Sequence, residues 1–229
     1  MQVLANYTWS KSLDDMPYGQ GVNNMKSNSD SPVPWNQPFR HNMDYGRSDF
    51  DRTHSFVLSY TWDSPALARW NKPLRLVLGS WQFNGIVTAQ TGQPLTILAG
   101  VDASKTGLNT DRAVVTSSNV YGGNACGNAA PCVNFLSTSA FALPATGTYG
   151  NAGKGAFTGP ILVNWDAGIF KRLPLGSDRY NLQFRAEFFN LLNHANFNNP
   201  TTNFSSASFG TILSAHDPRI GQLALKLLF

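Results

Sequence analysis

The sequence predicts an all-β fold, an antiparallel meander of about six strands joined by alternating long and short connections. Three observations carry that expectation. Apolar and polar residues alternate with period two in six separate segments, the mark of strands with one apolar face. The residues between those segments form three long stretches, 11–49, 93–160 and 193–218, interleaved with shorter ones. The composition is also unlike a water-soluble core: charged residues are 13% and aromatics 12%, with 20 Gly and 13 Pro, against roughly 25% charge in soluble domains.

The strands are expected near 2–10, 52–62, 81–92, 161–173, 180–192 and 219–229. In the first, Val3, Ala5, Tyr7 and Trp9 oppose Leu4, Asn6, Thr8 and Ser10. The second sets His54, Phe56, Leu58, Tyr60 and Trp62 against Ser55, Val57, Ser59 and Thr61. The third sets Trp81, Phe83, Gly85, Val87 and Ala89 against Gln82, Asn84, Ile86 and Thr88. The fourth opposes Val163, Trp165, Ala167 and Ile169 to Asn164, Asp166 and Gly168. The fifth is the cleanest, with Leu182, Phe184, Ala186 and Phe188 against Gln183, Arg185 and Glu187. The sixth places Gly221, Leu223, Leu225, Leu227 and Phe229 opposite Gln222, Ala224 and Lys226.

A water-soluble sandwich would alternate too, so the ends of the strands decide. Aromatics gather there (Tyr7, Trp9, Tyr60, Trp62, Trp81, Phe83, Phe229), as in the interfacial girdles of membrane barrels. Long and short connections alternate as the two rims of such a barrel require, which puts 64–80 and PLGSDR (174–179) on the periplasmic side and the long loops outside. Soluble domains rarely carry three structureless loops of this size. A membrane barrel needs about eight strands or more, so the chain is expected to be a piece of a larger barrel, with Met1 not the mature start. No stretch approaches the ~18 apolar residues of a membrane helix, and barrel strands do not need one.

Other functional classes find little support. The formal charge of +4 is scattered, with Lys171-Arg172 the one adjacent basic pair; nucleic-acid binders cluster such residues. Asp14-Asp15 and Asp49/Asp51 lack the setting of paired catalytic carboxylates or a calcium loop, and read as polar loop-to-strand junctions. GNAGKGAFTG (150–159) lacks the phosphate-loop spacing and precedes a strand, so it reads as a turn-rich loop. His41, His54, His194 and His216 show no metal-ligand spacing, and no GxSxG is present. No catalytic, cofactor-binding or metal-binding residue is therefore assigned, and no enzymatic activity or cofactor is expected. Cys126 and Cys132 lie in a Gly/Asn/Ala-rich loop and are read as a local disulfide of an oxidising compartment, with two free thiols the alternative. Asp166, Arg185, Glu187 and Lys226 share the polar face and are read as lumen-facing charges, paired across strands.

YTWSKSLDD (7–15), DRTHSFVLSYTWDSP (51–65), SWQFNGIVTAQTGQPLTI (80–97), GPILVNWDAGIFKRLPL (159–175), LQFRAEFFNLLNHANFNNP (182–200) and DPRIGQLALKLLF (217–229) together resemble the C-terminal barrel of TonB-dependent outer-membrane receptors. The nearest branch resembles the Oar-like receptors with a carboxypeptidase-regulatory-like domain. The likeness covers nearly all of residues 1–229, least in 101–150. It implies a 22-stranded type of barrel in the cell outer membrane, with a plug and a TonB box lying outside this sequence. It also implies uptake of an unknown solute, with outer-membrane lipid, the assembly machinery and the TonB system as partners. Phe229 matches the family's membrane-assembly signal. The alternative is a structural or adhesion barrel whose long loops bind a surface partner without transport.

Overall fold

Six strands form where the alternation places them: β1 Gln2–Trp9, β2 His54–Asp63, β3 Trp81–Gln90, β4 Leu162–Pro174, β5 Asn181–Phe189 and β6 Ile220–Leu228. The computed structural model describes residues 1–15, 40–65, 67, 69–122, 131, 134–175 and 180–228. The strands make one antiparallel sheet in the order β1-β2-β3-β4-β5-β6, a meander without crossovers. The sheet is open, so it forms part of a barrel wall and does not close one. Cys126, Cys132, Phe229 and most of the PLGSDR turn lie outside the described residues.

The register joins the apolar sets of all six strands into one face. Tyr7 pairs with Phe56, Phe56 with Ala89, and Ala89 with Val163. Farther along, Leu173 pairs with Leu182 and Leu182 with Leu227. A one-residue slip in any pair would turn that strand's apolar residues to the polar side. At the rim beside 64–80, Trp62 and Trp81 both stack on Phe83, with centroids 5.4 and 6.4 Å apart. At the other rim Tyr7 stacks on His54 and shares a 2.8 Å hydrogen bond with its Nδ1. Mid-sheet, the Trp165 indole N–H donates to the Tyr60 hydroxyl at 3.1 Å, which satisfies a donor that hydrocarbon would leave stranded. The Tyr60 ring lies over its register partner Gly85, where a Cβ would come about 2.5 Å from the phenolic oxygen.

Among the described residues no further sheet packs broadly on this one. The water-excluding core lies instead in the loops. Leu95, Ile97, Ala113, Val120, Leu136, Ala140, Phe141, Ala152, Phe157 and Phe209 form one buried cluster. Phe141 sits at its centre, edge-on to Phe157 and Phe209 at 5.4 Å each. Short antiparallel pairs knit it together: Leu13–Asp14 with Gly46–Arg47, Pro94–Leu95 with Phe157–Thr158, and Val114–Val115 with Phe141–Ala142. This corrects the expectation of structureless loops. The 64–80 connection is likewise more than a turn, since it holds a helix over Lys72–Leu78.

Candidate functional site

The described residues of all three long connections leave from one rim and pack together. The first is tied to the second by charge. Asp44 pairs with Arg112 at 3.6 Å, both side chains 1% exposed, and Asp14 pairs with the buried Lys154. Arg47 binds Asp51 at 3.0 Å and donates to the Thr158 hydroxyl at 3.0 Å, while the other Asp51 oxygen accepts the Ser12 amide. Asp14, Asp44 and Asp51 are therefore occupied as structural seams. The third loop docks through backbone. Phe204 N–H donates to Leu98 O at 2.8 Å and Leu136 N–H to Gly210 O at 3.1 Å.

The glycine-rich run 150–159 serves this packing. Gly150 has φ +79°, and a Cβ there would overlap the Arg112 carbonyl. Only glycine occupies that left-handed, close-approach position without strain. The run ends in the short strand Phe157–Thr158, which pairs with Pro94–Leu95.

Beneath the body, the polar face carries the predicted charges. Arg185 pairs with Glu187 at 3.0 Å along β5 and not across to a neighbouring strand, and its guanidinium lies 5.0 Å from the Phe170 ring centroid on β4. Two-residue spacing puts both on one side of the strand, which lets the pair close locally. Asp166 accepts hydrogen bonds from Asn164 Nδ2 at 2.8 Å and from the Asn190 amide at 2.9 Å. Lys226 stands on the same face, opposite Gln183. The structure thus gathers Asp166, Arg185 and Glu187 on adjacent strands, with Lys226 one strand farther.

Sequence reading missed Asn190, Asn193 and Asn196, which clamp the loop rim. Asn190 donates to His194 O at 2.9 Å and Asp217 O at 3.3 Å and accepts from His194 N. Asn193 Oδ1 accepts the Arg219 amide at 2.9 Å, and Asn196 Oδ1 the Val163 amide at 2.8 Å. β4, β5 and β6 are pinned together there. Asn190 and Asn193 have φ of +51° and +52°, a region that asparagine enters more readily than most residues. The three-residue spacing in NLLNHAN was the signal available.

Against this clamp lies a depression of about 410 Å³ lined by Asp166, Phe189, Asn190, Asn196 and His216. A second, of about 320 Å³, lies mid-sheet and includes Asn84, Asp166, Glu187 and Phe189. They share Asp166 and the half-exposed Phe189, so a trough lined by carboxylates, amides and aromatic rings runs from the mid-wall to the loop rim. Such a lining hydrogen-bonds a polar solute while offering an apolar face to stack on. His194 and His216 both adjoin Asn196, and no group of three or more metal-ligating side chains occurs among the described residues.

The family model described as an outer membrane beta barrel domain matches residues 1–222. No curated protein matches the chain, and no solved structure does.

Proposed function

Because the chain belongs to the outer membrane β-barrel domain family, we propose that it forms part of the wall and mouth of a receptor that takes up a solute with energy passed through a TonB system. Its place is the outer membrane, and its continuous apolar face is the surface that meets lipid. The observation that carries the reading is the trough. Polar side chains of β3, β4 and β5 line the inner wall and lead to a loop body with its own core. Slack loops would ask a solute to supply their ordering entropy, whereas a prebuilt mouth has already met that cost in folding.

The sequence resemblance implies the energy source: FRAEFFNLLNHANF and the terminal LKLLF are the specific ones among the segments that resemble TonB-dependent receptors. The loop body is read as extracellular, the solute as polar, and the chain as having no catalytic step of its own.

The test is direct association. The full-length protein, purified in detergent, is titrated with the periplasmic domain of TonB and followed by calorimetry. Saturable one-to-one binding is the expected outcome. No binding by a correctly folded, full-length sample contradicts the transport reading and favours a barrel whose loops hold a surface partner.

A further inference from the structure

The connection between β2 and β3 turns back onto the membrane side of the sheet. Lys171 and Trp81 are register partners on the apolar face, and both reach the end of the Lys72–Leu78 helix. The Lys171 ammonium donates to Val77 O at 3.0 Å and Gly79 O at 2.6 Å, and the Trp81 indole N–H donates to Val77 O at 2.8 Å. The ammonium also lies 4.5 Å from the Trp81 ring centroid. A lysine on the lipid-facing parity is thereby covered by helix carbonyls and an aromatic ring.

The same helix carries an uncovered apolar stripe. Leu74, Val77 and Leu78 are three and four residues apart, hence on one side of the helix, and are 45%, 61% and 47% exposed. Trp70, just before the helix, is 52% exposed. Arg69 and Arg75 are exposed basic residues beside the stripe. We propose that this helix is an interfacial anchor that lies in the leaflet at this rim and seats Leu74, Val77, Leu78 and Trp70 among glycerophospholipids, with Arg69 and Arg75 at the headgroup phosphates.

Two observations choose lipid over another protein as the occupant. The stripe adjoins the apolar face of the sheet, since Trp81 of the Trp62–Phe83–Trp81 aromatic rim donates its indole N–H to Val77 O. The charges beside it are positive, complementary to phosphodiesters. Short amphipathic helices with basic residues and a Trp/Leu side lie in the headgroup–acyl boundary for the same reasons. The inference rests on the membrane reading of the sheet, and the test separates the two.

In the full-length protein, Cys126 and Cys132 are replaced by alanine and a polarity-sensitive dye is attached at Val77→Cys, Leu225→Cys or Leu143→Cys. Leu225 reports the sheet's apolar face, and Leu143 reports the loop body. Each protein is reconstituted in phosphatidylethanolamine/phosphatidylglycerol vesicles with and without brominated acyl chains. The expected result is a blue-shifted, bromine-quenched dye at 77 and 225 and an unquenched, water-like dye at 143. Quenching at 225 but not at 77 overturns the anchor, whether the 77 dye reports water or a protein cover. An unquenched dye at 225 overturns the membrane reading itself, and the anchor with it.

Discussion

Asn190 shows how one residue ties the end of β5 to β4 through its backbone and to the segments around His194 and Asp217 through its side chain. It sits 6% exposed at the end of β5, its amide donating to Asp166 and its side chain bridging His194 and Asp217. Alanine there loses the side-chain hydrogen bonds and keeps a backbone conformation that a Cβ without a polar partner disfavours. Asn190→Ala is expected to cost about 2–4 kcal/mol, from the loss of buried hydrogen bonds and the strain of a left-handed residue. Asn190→Gly should cost less, since glycine relieves the strain but not the lost bonds. Urea titration of the folded protein, read by heat-modifiable mobility, measures both; equal costs for the two would remove backbone strain from the account. On the apolar face, Gly85→Val would push a side chain into Tyr60 and the Asp166 carbonyl. Overpacking of that kind costs about 1–3 kcal/mol, and the Tyr60–Trp165 hydrogen bond should be lost with it. A wild-type unfolding midpoint would show that the Tyr60 ring moves aside freely.

The elements differ in how plainly the sequence announces them. All six strands were legible because each repeats its apolar residues over four or more positions, long enough for period two to stand out. The loop body was not legible, because its core joins residues of 93–160 to Phe209 of 193–218 and its strand pairs are two residues long. A faint signal existed in Leu95, Ile97 and Ala99, which alternate and are all buried. Nor could composition tell that Asp44 and Arg112 would meet, since 68 positions separate them (112 minus 44). Removing one partner of a buried pair typically costs 3–5 kcal/mol, so Arg112→Leu should loosen the loop body while the sheet stays folded. Limited proteolysis would show new cleavage within 93–160 and an intact barrel; a wild-type digestion pattern would contradict the seam. Acid should act on a smaller scale. Asp102 lies in the 93–160 loop. Although desolvation alone raises its pKa, the amides of Gly107 and Thr106, the Ser104 hydroxyl and the Lys105 ammonium together hold it below the usual carboxylate range. Its contribution is complete above the ordinary aspartate pKa of about 3.9 and is lost as pH falls through the lower folded value. Amide chemical shifts of Thr106 and Gly107 should therefore titrate below that ordinary value. Titration at or above it would mean that the turn does not hold the carboxylate.

At the scale of the whole molecule, the chain divides its apolar residues between two solvents. One set faces lipid as a single sheet surface, and the other is withdrawn from water inside the loop body. That division makes a soluble-protein reading of the hydropathy misleading and explains why the sheet needs no second layer. The polar face keeps Asp166, Arg185, Glu187 and Lys226 on the opposite side, so adjacent residues of one strand live in different media. The most direct measurement of this claim compares neighbours in the middle of β6. Leu225→Arg places a charge on the apolar face, where near the bilayer midplane it should cost about 2–4 kcal/mol. Ala224→Arg places the same charge one residue away on the polar face. With the folded, membrane-inserted fraction of the full-length protein read by heat-modifiable mobility, the account predicts a marked loss for Leu225→Arg and near-normal insertion for Ala224→Arg. Equal loss in both, or loss at 224 alone, would contradict it.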